Sequence, residues 1–187
     1  ILEISRGSGR GELYYTIHPE LAMPVAQIMA ESRGLMLRRE YCAVVEASAM
    51  NRIAAPTECR PLTEVHVGEQ VAVRLTLIVP QTRTYVRLES PHPAGFVPTD
   101  DMVTGMATRC AVNHGADWWT MPFEQCEVLD DRVAFFASEV PPGTYQVTYV
   151  LRAVAPGTYG ALPAIVSEIH FPEVWGRSTG DVIRIVP

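Results

Sequence analysis

The side chains with the most chemistry to offer are four cysteines, at positions 42, 59, 110 and 126. They fall into two local pairs that enclose loops of similar length, and none stands in the Cys-x-x-Cys spacing that favours a zinc site or a thiol redox centre. Buried reduced thiols are one reading, since free cysteine is among the most buried residue types. Two disulfides in an oxidising compartment are the preferred reading. Of the three possible connectivities, spacing favours Cys42 with Cys59 and Cys110 with Cys126, each bridge stabilising by about 3 kcal/mol on the chain-entropy account.

Other reactive groups are present without the company that catalysis needs. The histidines, at 18, 66, 92, 114 and 170, are far apart, with no His-x-His pair and no His-Glu-x-x-His helix motif. No serine sits in a Gly-x-Ser-x-Gly elbow. Gly7-Ser8-Gly9-Arg10-Gly11 is glycine-rich but lacks the Lys-Ser/Thr ending and following helix of a phosphate loop, so it reads as a hairpin tip. Asp100-Asp101 and Asp130-Asp131 read as solvated turn formers rather than calcium ligands. Trp118-Trp119 and Tyr14-Tyr15 offer aromatic surface for a sugar, although core packing and interface contact explain such rings more often. No catalytic, cofactor-binding or metal-binding residue is assigned, and no cofactor is expected.

The elements that carry these residues read as strands. Residues 70–79 alternate strictly, with Val71, Val73, Leu75, Leu77 and Val79 on one face, between Gly68 and Pro80. Residues 85–89 repeat the pattern until the prolines at 91 and 93 break it. A meander follows over residues 124–129, 132–137 and 144–154, with turns at Asp130-Asp131, Pro141-Pro142-Gly143 and Pro156-Gly157, and a last strand covers 181–186. Such spacing predicts an all-β, antiparallel β-sandwich of immunoglobulin-like architecture. Residues 2–6 and 12–17 flank the glycine-rich tip as an N-terminal hairpin. One short helix is predicted over residues 24–33, with Pro24 in its first turn and Gly34 beyond its end. Residues 102–121 lack a period and read as a long loop tied by Cys110 and Cys126.

Composition limits the partners. All 15 basic residues among the 187 are arginine, 21 acidic residues outweigh them, and the net charge is -6. A phosphate-tracking surface needs clustered positive charge, so no nucleic acid is expected as partner. At 48% hydrophobic and 19% charged, the chain can bury a substantial core. No apolar run reaches the roughly 18 to 20 residues of a membrane helix, so no transmembrane segment is expected. The start Ile1-Leu2-Glu3-Ile4, without initiator Met or signal-like features, reads as a cut through a longer polypeptide.

An ordered series of stretches carries a family resemblance. Gly34-Leu35 leading to Arg38, Glu40 and Tyr41, then residues 67–77, then Tyr85-Val86 to Pro93-Ala94-Gly95-Phe96, resemble the C-terminal region of bacterial alpha-2-macroglobulin-like proteins. Asp131-Arg132-Val133, Phe135-Phe136-Ala137, Pro142-Gly143-Thr144-Tyr145, Pro156-Gly157-Thr158-Tyr159 and Pro172-Glu173-Val174 to Gly176-Arg177-Ser178 keep the family's order and approximate spacing. The resemblance covers nearly the whole chain. It implies that residues 35–187 form a C-terminal macroglobulin-like sandwich and residues 1–34 a hairpin and connector leaving a preceding β-domain. It also implies a non-catalytic part of an exported protease inhibitor, periplasmic, cell-surface or extracellular. The partners would be other domains of the parent chain and, through the whole assembly, target proteases. A thioester in another domain would be shielded in part by this one. The thioester motif, Cys followed two residues later by Glu-Gln, is absent, and Phe123-Glu124-Gln125-Cys126 has the letters in the wrong order. The implied interdomain contact is the edge Glu168, Ile169, His170, Phe171, Pro172 and Glu173, where relatives often carry Met-Tyr. The alternative is an adhesion or glycan-binding module using Trp118 and Trp119. In either case the aromatics Tyr145, Tyr149 and Tyr159 are read as core fillers whose hydroxyls reach polar partners at the sheet edges.

Overall fold

A computed structural model describes residues 3–18, 20, 22–44, 59–99 and 122–187. The described residues form thirteen strands: β1 (Glu31–Arg33), β2 (Met36–Ala43), β3 (Glu64–His66), β4 (Gln70–Val79), β5 (Arg83–Pro91), β6 (Phe96–Pro98), β7 (Gln125–Val128), β8 (Arg132–Val140), β9 (Gly143–Ala153), β10 (Gly157–Ala161), β11 (Ile165–Glu168), β12 (Trp175–Arg177) and β13 (Asp181–Val186). They build a six-stranded sheet in the order β1-β12-β11-β5-β8-β7, a four-stranded sheet β2-β4-β9-β6 and a three-stranded sheet β10-β13-β3. All the pairings are antiparallel except β13 with β3. The predicted antiparallel β-sandwich is therefore the fold.

Alternation explains the core. In β4 the side chains Val71, Val73, Leu75, Leu77 and Val79 are buried and meet β2 on one side and β9 on the other. From the six-stranded sheet Val86, Leu88, Val133 and Phe135 enter the same cluster. The two sheets face one another through Tyr149 on β9, whose ring lies 6.4 Å from that of Phe135 on β8 and whose hydroxyl donates to Ser90 Oγ on β5 at 2.8 Å. Tyr145 and Tyr159 end differently, donating to the carbonyls of Pro141 at 2.8 Å and Pro156 at 3.3 Å at the sheet edges.

The N-terminal region departs from the sequence reading. No strand forms in residues 3–18, all of them exposed with no apolar face to bury, and the glycine-rich tip is closed by one side chain: Arg6 donates to the Gly9 carbonyl at 2.6 Å and to the Gly11 carbonyl. The helix predicted over residues 24–33 is a single 3-10 turn, Val25–Gln27. It has no side-chain cap and no charges placed to favour the helix ends, while Ile28 is already extended. Pairing wins over local propensity there, and residues 31–33 add to the sheet through Glu31↔Arg177, Ser32↔Gly176 and Arg33↔Trp175.

One buried cation holds the three sheets together. Arg39 on β2 lies on the inward side with Leu37 and Tyr41 and is fully buried. It donates to Asp181 Oδ2 on β13 at 2.8 and 3.1 Å, to the Pro91 carbonyl on β5 at 3.0 Å and to the Ala161 carbonyl on β10 at 3.3 Å. Its guanidinium also lies 5.2 Å from the ring centre of Tyr41. A buried arginine is tolerated when its donors are met in this way.

Candidate functional site

The edge predicted from residues 168–173 begins inside the sheet and ends outside it. Glu168 closes β11 and is 6% exposed. Its carboxylate accepts the Thr84 N–H at 2.8 Å and faces the Arg83 guanidinium at 3.4 Å, so a buried charge is neutralised and hydrogen-bonded at once. Beyond it the chain turns: the Val174 N–H donates to the Phe171 carbonyl at 2.9 Å, and the Glu168 N–H to the Val174 carbonyl at 3.1 Å. That turn projects Ile169, 51% exposed, and Phe171, 53% exposed, with His170, Pro172 and Glu173 also exposed.

A residue from the neighbouring strand completes the surface, and sequence reading assigned it no role. Tyr85 on β5 is 54% exposed, and its ring meets that of His170 edge to face at 4.9 Å. Its backbone has φ +51°, a left-handed conformation that costs a bulky residue about 1 to 3 kcal/mol. The conformation is held from both sides. The Tyr85 carbonyl accepts the Ile169 N–H at 2.9 Å, and the preceding Thr84 N–H is fixed by Glu168. Tyr85, Ile169, His170 and Phe171 thus form an aromatic and aliphatic knuckle at one end of the six-stranded sheet. The strand pattern of residues 85–89 put Tyr85 outward, but nothing in the sequence signals its backbone.

Among the described residues the cysteines form cross-links. Cys42 and Cys59 are joined by a disulfide with Cα atoms 5.1 Å apart. Cys126 on β7 is also disulfide-bonded, while Cys110 lies outside the described residues. Trp118 and Trp119, with the rest of the predicted loop at 102–121, lie outside them as well. Among the described residues no three His, Cys, Asp or Glu side chains gather to hold a metal ion, and no helix is long and apolar enough to cross a membrane.

Fold and surface together define an antiparallel β-sandwich domain with an exposed apolar knuckle, and solved structures share that fold. The chain superposes with a TM-score of 0.64 on Salmonella alpha-2-macroglobulin reacted with methylamine, at 21% identity over 84% of this chain and 10% of that one. Native alpha-2-macroglobulin from Escherichia coli, spanning domain MG7 to the C-terminus, gives 0.65 at 16% identity, covering 88% of this chain and 25% of that one. At such identities the likeness shows the fold alone. The chain belongs to the bacterial alpha-2-macroglobulin MG10 domain family, which it matches over residues 34–173. Among curated proteins it is 28% identical over 171 residues to an alpha-2-macroglobulin homolog of Nostoc sp., covering 91% of this chain and 9% of that protein. It is also 27% identical over 178 residues to circularly permutated Ras protein 2 of Dictyostelium discoideum, covering 95% of this chain and 4% of that protein. The chain therefore spans less than a tenth of the length of either curated relative.

Proposed function

We propose that this chain is the C-terminal macroglobulin-like domain of an exported bacterial protease inhibitor, non-catalytic itself, and that it packs against and helps shield a thioester domain elsewhere in the parent. Residues 35–187 are the sandwich, and residues 1–34 the connector from a preceding β-domain, with β1 laid onto the sandwich. The single observation that carries the reading is the exposed knuckle of Tyr85, Ile169, His170 and Phe171 within an MG10-family domain. Half-exposed large apolar side chains gathered at one sheet end suit contact with a neighbouring domain of the same polypeptide. The Cys42–Cys59 disulfide supports a periplasmic, cell-surface or extracellular location. Target proteases are partners only through the whole assembly.

The test uses the uncleaved parent protein. Methylamine attacks an accessible thioester at its acyl carbon, forming an amide and freeing the cysteine thiol, so thiol release reports exposure. Ile169→Asp with Phe171→Asp is expected to raise the rate of thiol release by about fivefold or more, the lower end of an ordinary coupling between sites. Unchanged release would remove the shielding role, and no thiol release from either protein would remove the thioester altogether.

A further inference from the structure

The connector does not simply leave the sandwich; it is strapped across it. Val25 packs on two glycines, since a Cβ on Gly160 would come 2.7 Å from Val25 Cγ1 and one on Gly180 would come 2.1 Å from the Val25 carbonyl oxygen. The Gly180 N–H donates to the Ile28 carbonyl at 3.0 Å, and Arg177 Nε to the Met29 carbonyl at 3.1 Å. Glu31 then pairs with Arg177 at 3.1 Å and with Arg33 at 3.1 Å, while both guanidiniums flank Trp175, 5.4 and 5.7 Å from its ring centre. Apart from the Val25 contacts and the three-residue β1–β12 ladder at the sheet edge, these attachments are polar and half exposed, the kind that opens at low free energy.

The strap ends at Gly34, and that residue touches the framework of the knuckle. Gly34 has φ +90°, and a Cβ there would lie 2.8 Å from Arg83 Nη2 and 3.3 Å from Val174 Cγ1. Arg83 reaches the Gly34 carbonyl at 3.5 Å with one guanidinium nitrogen and Glu168 at 3.4 Å with another. Glu168 in turn fixes the Thr84 N–H beside the left-handed Tyr85, and the Val174 carbonyl accepts the Glu168 N–H. An unbroken set of contacts therefore runs from strap to knuckle. Its middle member is a guanidinium making one long bond to each side, while the Gln81 side-chain oxygen accepts from its two terminal nitrogens at 2.9 and 3.3 Å.

We infer that Gly34 and Arg83 form a relay through which the position of the upstream strap, residues 25–33, sets the geometry of the knuckle of Tyr85, Ile169, His170 and Phe171. A pull on the connector withdraws the Gly34 carbonyl, leaves Arg83 to Gln81 and Glu168 alone, and so shifts the Glu168 carboxylate that holds Thr84 beside Tyr85. The functional meaning of this relay rests on the knuckle's being a contact surface, whereas its existence is a property of this chain alone.

Amide hydrogen exchange on the 187-residue chain tests it without any thioester chemistry, so its failure is distinct from failure of the shielding reading. Glu31→Ala releases the strap's ion pairs, and Arg83→Met cuts the relay. The expected result is exchange about fivefold or more faster at Gly180, Thr84 and Ile169 in Glu31→Ala, with β4 amides unchanged. Thr84 and Ile169 should exchange no faster in the double variant than in Arg83→Met alone, which is the signature of coupling. The proposal is overturned if Gly180 exchanges faster while Thr84 and Ile169 keep their wild-type rates, or if the two substitutions multiply. Should Glu31→Ala leave Gly180 unchanged, Arg177→Ala, which also removes the Met29 bond, takes its place; an unchanged Gly180 there too would overturn the strap itself.

Discussion

Burial pushes the Tyr149 hydroxyl up to about 12, with its hydrogen bond to Ser90 and the nearby Arg39 charge pulling the other way. Tyr41 is pushed upward too, again chiefly by burial, and its hydroxyl has no hydrogen-bond partner among the described residues. A tyrosine whose folded value lies above its ordinary value of about 10 contributes stability that is fully present below pH 10 and is lost as pH rises towards the folded value. The chain has no lysine, so no ammonium titration overlaps that window. Urea midpoints measured from pH 8 to 12 are therefore expected to hold up to about pH 10 and then fall, each buried tyrosine contributing about 1.4 kcal/mol per pH unit. Tyr149→Phe should make the fall shallower; a flat profile to pH 12 would show that neither ring is held neutral by the core. Arg39 belongs to the same core but was not legible beforehand. Leu35, Leu37, Arg39 and Tyr41 share one face of a period-two pattern, which is the available signal, yet the charge at both 38 and 39 interrupts the alternation.

Among elements, β12 shows how a three-residue strand earns its place. A Cβ on Gly176 would lie 2.2 Å from the Leu35 carbonyl oxygen, so the strand seats against the backbone at the turn into β2. Gly176→Ala is expected to destabilise by about 1 to 3 kcal/mol, the usual range for overpacking, and calorimetry of the two proteins measures it. A change within about 0.5 kcal/mol, typical of a surface position, would mean that the turn yields freely. The same contact explains which strands the sequence revealed. Long, half-buried strands such as β4, β9 and β13 announce themselves by alternation, and β13 was delimited correctly at Asp181–Val186. β1, β3, β6 and β12 are three residues each, too short to show a period, and exist because a neighbour offers hydrogen bonds. Of the knuckle, residues 168–173 are singled out by the family pattern as an edge and not as a turn, while Tyr85 joins them through a backbone conformation that no local pattern encodes.

For the whole molecule, the three sheets are tied at one point, because Arg39 on the four-stranded sheet bonds to elements of the other two at once. The Cys42–Cys59 bridge adds a covalent constraint, and opening it by Cys59→Ser is expected to lower stability by about 3 kcal/mol, read as a shift in the urea midpoint. The bridge does something else through its position. It holds residues 60–62 along the outer side of β2, where the Leu62 N–H donates to the Tyr41 carbonyl at 2.9 Å and the Ala43 N–H to the Arg60 carbonyl at 3.4 Å, with Pro61 opposite Cys42. Residues 60–62 thereby occupy hydrogen-bonding sites that an edge strand otherwise offers to any passing chain, and the proline ends the row by supplying no further donor. Reduction would uncover that border as well as relax the loop, making the oxidised bridge a guard on solubility that keeps one copy of the domain from recruiting another.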